Sequence, residues 1–155
     1  MKFTIWTDGG FSYNHKIGSW AFIAISETGV EVKRFALVDH HKQTSQVAEM
    51  FAFKNALEFF VNELCGGDVN RTSRLCLDIN SDSQYCVNSF NDWMHGWARA
   101  DWCVDKENLD LWRPIYDMKK MLGAAKANWV KGHAGIEMNE RVDQLTQIPL
   151  QVYRS

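Results

Sequence analysis

Residues 129–145 read WVKGHAGIEMNERVDQL, a histidine set between two glycines with an aspartate ten residues beyond it. Trp129, Val130 and Lys131 continue a short β-prone run, Gly132 and Gly135 permit sharp or positive-φ turns, and Asn139 is placed to cap a helix carrying Asp143. Strand, exposed loop and helix follow in that order, so His133 and Asp143 are aimed at one place. In isolation the same pair also reads as a loop histidine and a solvated helix aspartate. Partners elsewhere in the chain must decide.

The first partner stands near the start. Lys2 to Asp8 alternates as a strand and ends in an aspartate before Gly9 and Gly10, where it serves either a site or a simple turn. Neither glycine pattern of a phosphate loop is present. Gly18 to Ile25 and Glu31 to Asp39 read as two more strands joined around Glu27, Thr28 and Gly29, an antiparallel hairpin or meander. The run DHHKQTS, residues 39–45, reads as a solvated connection. Its adjacent His40 and His41 point in different directions and have no Cys or carboxylate at ligand spacing, so no metal pair is expected there. Thr44 or Ser45 then caps a helix running to about Leu64, which Gly66 and Gly67 end. Its apolar face is Met50, Phe53, Leu57, Phe60 and Leu64, and Glu49 falls roughly 60° from the centre of that face. Glu49 therefore leans toward the core boundary, although a first-turn glutamate also simply favours the helix dipole.

Leu75 to Asn80 reads as a buried strand that passes directly into a helical run through Asp82. That puts Asp82 at the C-terminal end of a sheet strand, where α/β sites form, with a plain helix cap as the alternative. In NDWMHGWARADW, residues 91–102, Trp93 and Trp97 share a helix face near Arg99. Such a face stacks on sugars or bases, or else fills the core. Asn108 caps a helix from Leu109 to about Leu122, in which Pro114 should bend the axis or delay the start. The last strand is Ala127 to Lys131. The order predicts a single α/β domain over residues 1–155: a central mixed five-stranded sheet, its first three strands antiparallel, flanked by helices on both faces.

Composition agrees with a packed core, at 155 residues with 46% hydrophobic and 23% charged. Cys65, Cys76, Cys86 and Cys103 form no CxxC unit and are expected as free thiols. No apolar run approaches the roughly 20 residues that span a bilayer, and MKFTIWTDGG is no signal peptide, so a cytoplasmic monomer away from membranes is expected. The formal charge of −2 gives no basic signature of a nucleic-acid binder, but it excludes little if acidic residues gather at a metal site.

Asp8, Glu49, Asp82 and Asp143 come from two strand ends and two helices that the predicted order brings to one edge of the sheet. Four carboxylates without counter-ions repel one another, so the set must raise its own pKa values or bind hard cations. Carboxylate oxygens suit Mg²⁺, with Mn²⁺ as a substitute, and no Cys or His cluster suits zinc. Two such ions would activate a water and stabilise the leaving oxygen of a phosphodiester. His133, on its glycine-bounded loop, would move protons or help release product.

The chain at this point resembles type I ribonuclease H, from WTDGG through TSQVAE, SDSQY and DLW to GHAGIEMNERVD, over about Phe3 to Thr146. The resemblance implies the ribonuclease H fold and endonucleolytic cleavage of the RNA strand of RNA/DNA hybrids, leaving 5′-phosphate and 3′-hydroxyl ends. It places the metal carboxylates at Asp8, Glu49, Asp82 and Asp143 and the loop histidine at His133. It further implies minor-groove contacts at Asn14, Ser45, Gln46 and Gln84, polar groups able to read 2′-hydroxyls. Lys42, Thr44 and Asn108 match a pocket for a DNA phosphate, and Trp93 and Trp97 match a channel for the DNA strand.

Two departures stand out. Ser45 replaces a frequent Asn with a shorter side chain, and the basic handle of many members is cut here to a nearly neutral segment from Ala98 through Asp101 and Trp102 to Asn108. Two other readings exist: a nuclease of this fold acting on another nucleic acid, and a non-catalytic hybrid-binding module. Asn14, Gln46 and Gln84 speak against the first, and the four retained carboxylates against the second. With fewer phosphate contacts, hybrid binding should be weaker and less salt-dependent than in a relative carrying the full handle. A titration of the binding constant against salt checks this; a slope as steep as that relative's would overturn it.

Overall fold

The computed structural model describes residues 1–153, so Arg154 and Ser155, the end of the expected 1–155 domain, lie outside the described residues. Five strands form one sheet in the order β3-β2-β1-β4-β5: β1 Lys2–Ser12, β2 Ile17–Ser26, β3 Glu31–Leu37, β4 Cys76–Ser81 and β5 Ala124–Trp129. β1, β2 and β3 pair antiparallel, while β4 lies parallel to β1 and β5 parallel to β4. This is the mixed five-stranded sheet that the element order predicts, and it fits the ribonuclease H-like fold that the resemblance implies. The central strand is β1, covered on both faces.

α1 (Ser45–Glu58) covers one face. Thr44 caps it, its Oγ1 accepting the Val47 N–H at 3.0 Å, as the sequence indicates. The helix is buried almost all round rather than along one stripe, because it lies between the sheet and α5 (Leu109–Met121). Ile5, Phe22, Met50, Phe53, Leu57, Phe60, Ile79, Phe90 and Trp112 meet in that core. Leu64, expected on the apolar face, is exposed instead. Residues Phe59–Leu64 continue α1 in wider π-helical turns, which rotate the chain so that Val61 turns inward and Leu64 outward. A short α2 (Val69–Thr72), capped by Asp68, joins this end to β4.

The opposite face carries α6 (Glu137–Leu150), whose Val142 packs on Ala21 and Ile23 of β2. Strand alternation produces the division: Phe22 and Ala24 face α1, Ala21 and Ile23 face α6. Helices thus flank both faces. α3 (Gln84–Asn88), a π-helical turn (Ser89–Trp93) and α4 (Met94–Arg99) complete the α1 side. Among the described residues no helix is long and apolar enough to cross a membrane, and all four cysteines are free thiols, Cys65 and Cys86 buried and Cys76 and Cys103 exposed.

Several sequence boundaries shift. β1 does not stop at Asp8: Gly9 and Gly10 continue it, paired with Trp20 and Ser19. β5 begins three residues early, at Ala124, and Val130 and Lys131 have already left it. Asn139 does not cap α6, which starts at Glu137 after the Gly135 turn at φ +79°, and Asn139 is buried inside the helix. α5 starts at Leu109 without delay, because Pro114 falls beyond its first turn and removes only one backbone donor. Asn108 precedes it at φ +64°, and its backbone carbonyl, not its side chain, accepts the Leu111 and Trp112 N–H groups at 3.0 Å.

Gly9 and Gly10 are needed for space, not for turning. A Cβ on Gly9 would stand 2.4 Å from Glu49 N, and one on Gly10 2.8 Å from Thr146 Oγ1. Each is a collision with an element on a different face. Gly9→Ala should therefore push α1 off the sheet and cost about 3 kcal/mol or more, the scale of an overpacked core. Thermal melts check this; a melting temperature equal to wild type would show that α1 can retreat freely.

Candidate active site

Asp8 lies just past the last β1–β4 pair, Trp6 with Asn80, where β4 ends and the chain turns through Asp82. Glu49 arrives from the second turn of α1, one turn later than expected, so it serves the site rather than the helix dipole. One oxygen from each of Asp8, Glu49 and Asp82 lies within 4.8 Å of the others. Asp143 comes from the second turn of α6, over the opposite face, close enough to raise the proton affinity of Asp8. Three of the four sequence-predicted carboxylates, Asp8, Glu49 and Asp82, therefore form one close cluster at the end of the sheet, and Asp143 lies beside it, near Asp8.

Burial makes this meeting costly. It pushes the Asp8 carboxyl far above its usual range, and the Glu49 and Asp82 charges raise it further. Burial likewise raises Glu49, with the Asp82 charge adding to it, against the pull of hydrogen bonds from Asp8 and the Gly9 amide. Asp82, half-buried, is raised mainly by burial, while its own amide and the His133 charge pull it down. The Gly9 N–H also donates to Asp8 Oδ1 at 2.9 Å, but Glu49 Oε2 is buried with no hydrogen-bond partner. An orphaned carboxylate oxygen inside a cluster of like charges is the environment a hard divalent cation relieves. The donors present fit such an ion.

Asp82 is held by its neighbours. Ser83, not Asp82, caps α3 by accepting the Cys86 N–H, which leaves the Asp82 carboxylate to the cluster. Trp129 Nε1 donates to the Asp82 carbonyl at 3.1 Å, and a Cβ on Gly132 would stand 2.8 Å from Asp82 Oδ2. Close approach of the Asp82 carboxylate, and not a left-handed turn, thus favours glycine before His133. His133 itself is exposed at φ +54° on the loop edge. Trp129 and Gly132 had been read only as strand and loop residues; nothing in their local pattern shows what they touch across the sheet.

A second group lies along α1, α3 and the start of α5. Lys42 Nζ donates to Asn108 Oδ1 at 3.0 Å, and Asn108 Nδ2 donates to Gln46 Oε1 at 3.3 Å. Tyr85, quoted in its motif without a role, connects this group to the core: its hydroxyl accepts from Asn108 Nδ2 at 3.5 Å and Trp112 Nε1 at 3.0 Å. Thr44 spends its hydroxyl on the α1 cap. Beside them opens a groove of about 660 Å³ lined by Trp93, Trp97, Gln46, Tyr85, Arg99 and Lys106, with Asp92 and Glu107 on its rim. Trp93 is 47% exposed, whereas Trp97 is half-buried against Trp112, so the core reading fits Trp97 and Trp93 is left open to the groove. Ser45 and Gln84 open α1 and α3 with exposed side chains, and Asn14 is exposed on the β1–β2 turn.

The family model for RNase H matches residues 1–150. The chain belongs to the ribonuclease H family. A ribonuclease H from Rhodopseudomonas palustris strain BisB5 is 34% identical over 155 residues, covering 97% of this chain and 93% of the relative. One from Bradyrhizobium diazoefficiens strain USDA 110 is 34% identical over 148 residues, covering 93% and 86%. Among solved structures, LC11-RNase H1 in complex with an RNA/DNA hybrid aligns with a TM-score of 0.72 at 19% identity over 99% of both chains. RNase H1 from the archaeon Halobacterium salinarum NRC-1 aligns at 0.68 and 17%, over 98% of this chain and 99% of that one. At such identities the structural likeness speaks for the fold. Ribonuclease H activity, the endonucleolytic hydrolysis of RNA in RNA/DNA hybrids, is the activity of this chain.

The raised carboxyls make metal-free stability pH-dependent. Asp8 ionises near 3.8 when unfolded and far higher when folded, so the folded state holds the proton longer and loses stability as pH rises above about 4. In EDTA at pH 8, Asp8→Asn should melt roughly 3–6 °C above wild type, with the gap closing toward pH 4. Saturating Mg²⁺ should reverse the ranking, since the ion stabilises the intact cluster. A lower melting temperature for the variant in EDTA at pH 8 would show that Asp8 is not a destabilising charge.

Proposed function

We propose that Asp8, Glu49, Asp82 and Asp143 hold two divalent cations, Mg²⁺ by preference with Mn²⁺ as a substitute. We further propose that the chain, as one catalytic domain, cuts the RNA strand to leave 5′-phosphate and 3′-hydroxyl ends. The observation that carries this reading is the convergence of Asp8, Glu49 and Asp82 within 4.8 Å around the partnerless Glu49 Oε2. Bound at such a site, divalent cations activate a water and stabilise the leaving oxygen of an in-line displacement.

The chain's own groups do the rest. Asp8, held by the Gly9 amide, and Glu49, fixed on a buried helix, offer rigid oxygens that need no reorganisation during the reaction. Asp82, gripped through its carbonyl by Trp129, sits at the open side nearest His133. His133, exposed on its loop, takes or gives a proton as substrate arrives and product leaves. Asn14, Ser45, Gln46 and Gln84 read 2′-hydroxyls in the minor groove, which separates the RNA strand from DNA. Lys42 and Asn108, already joined at 3.0 Å, take a DNA-strand phosphate with Thr44 beside them. Trp93 and the edge of Trp97 support the DNA sugars. LC11-RNase H1, solved with a hybrid, supports placing such a substrate on this fold.

The test is cleavage of a labelled RNA strand in hybrid, in duplex RNA and beside duplex DNA, in Mg²⁺ or EDTA. Only the hybrid in Mg²⁺ should be cut. Asp82→Asn should lower turnover about a thousandfold, the several kcal/mol expected of an ion ligand. His133→Ala should cost about a hundredfold or less and keep metal-dependent activity. Hybrid cleavage that persists in EDTA or in Asp82→Asn would reject the two-cation reading, and equal loss in both variants would raise His133 to an indispensable group.

A further inference from the structure

His40, expected in a solvated connection, is 12% exposed in its side chain and joins two segments. Its ring stands edge-on to Phe51 at 5.8 Å and is covered by His41 at 4.1 Å. Nε2 lies 2.9 Å from Asp110 Oδ2, in the first turn of α5. Nδ1 lies 3.0 Å from Lys42 N and 3.2 Å from Lys42 O. In the neutral ring with its proton on Nε2, Nε2–H donates to Asp110 and Nδ1 accepts the Lys42 N–H. Each ring nitrogen thus bonds a different segment: one carries Lys42, the other begins two residues before Asp110 at Asn108.

Those segments are also joined through side chains: Lys42 Nζ reaches Asn108 Oδ1 at 3.0 Å and Glu107 Oε2 at 3.5 Å. The Lys42 side chain is long and flexible, so where its ammonium reaches depends on where its backbone is held. Asn108 sits at φ +64°, in the left-handed region that asparagine enters more readily than most residues, and its side chain bonds Lys42, Gln46 and Tyr85. Gln43 secures the upstream side, its Nε2 donating to the Val38 and His40 carbonyls at 2.9 Å and its Oε1 accepting the Gly18 N–H at 2.8 Å. From the backbone of that anchored connection, the His40 ring reaches into α5 at Asp110.

We infer that His40 is a positioning residue that ties the Lys42 backbone to the start of α5 and so sets the Lys42–Asn108 pair for a DNA-strand phosphate. The inference rests on reading that pair as a phosphate site. Without the ring, Lys42 and Asn108 keep their chemistry but lose their common geometry. Loss of His40 therefore acts through Lys42 and adds little once Lys42 is gone.

Binding of a fluorescent RNA/DNA hybrid, read by anisotropy across a salt series in Mg²⁺, tests this in an Asp82→Asn background that leaves the substrate uncut. Lys42→Ala should flatten the slope of log Kd against log salt by about 0.7–0.9, one phosphate. His40→Ala should flatten it in the same direction and raise Kd about fivefold, the effect of one net hydrogen bond. The double variant should bind like Lys42→Ala alone. His40→Asn, whose Oδ1 can accept the Lys42 N–H, should recover part of the loss. An unchanged slope in His40→Ala, or a double variant showing the product of both losses, overturns the inference while leaving the phosphate site intact. An unchanged slope in Lys42→Ala overturns the phosphate site itself and His40's role with it. Should His40→Ala fail to melt cooperatively, His40→Asn and His40→Gln carry the comparison, and wild-type Kd and slope in both would overturn it.

Discussion

Everything at the site depends on how closely two helices approach one strand. Gly9 and Gly10 are adjacent in β1 and face opposite sides of the sheet, so the first admits the α1 backbone at Glu49 and the second admits α6 at Thr146. Side chains at either position would hold that helix away. The neighbours then lock the approach: Ser19 Oγ donates to the Thr146 carbonyl at 2.6 Å, and Thr146 Oγ1 donates to the Asp143 carbonyl at 2.6 Å. Asp8, one residue before the pair, is thereby reached by Glu49 from one face and by Asp143 from the other. The parallel pairing of β1 with β4 adds Asp82 from the side.

Such a meeting is unfavourable in itself, and its cost is borne by packing remote from it. Glu49 is flanked on α1 by Ala48 and Met50, both fully buried, so withdrawing its carboxylate would mean withdrawing the helix from the main core. Asp8 is fixed in β1, where it pairs with Ala21 of β2. Neither can relax by a rotamer change alone, which is why burial shows in raised proton affinities rather than in a separated cluster. The same rigidity preorganises the oxygens for a cation.

Much of this was legible in the sequence because it follows from local pattern. Alternation and helical spacing locate the elements, Thr44 is an oxygen-bearing cap in front of an apolar run, and Asp82 follows a strand directly. What escaped depends on contacts across the fold. Gly9 and Gly10 read as a turn because turns and close approach select the same residue, and only the third dimension separates them. Leu64 was misplaced because a π-helical turn carries no distinctive composition, yet one extra residue per turn rotates the face. Asn139 is a good cap by type and is instead buried within α6, because the Gly135 turn starts the helix earlier. His40 lay in a polar run, and no periodicity shows that its ring spans to α5.

The acidic balance of the chain also takes on another meaning. The two proposed divalent cations would add four positive charges to a formal net charge of −2, so the loaded protein would be positive where the bare one is negative. The change is confined to the end of the sheet where substrate must lie. The adjoining groove sets Arg99 and Lys106 against Asp92 and Glu107, close to neutrality, and supplies aromatic surface in place of charge. On the proposed reading, attraction for a polyanion would be concentrated at the cluster and at Lys42, while the groove would align the strand by shape and stacking. A bare carboxylate cluster would repel a phosphate backbone, so on the proposed reading cation occupancy would bear on substrate binding as well as on chemistry. That dependence originates in the spacing set by Gly9 and Gly10, which brings the carboxylates too close to remain charged alone.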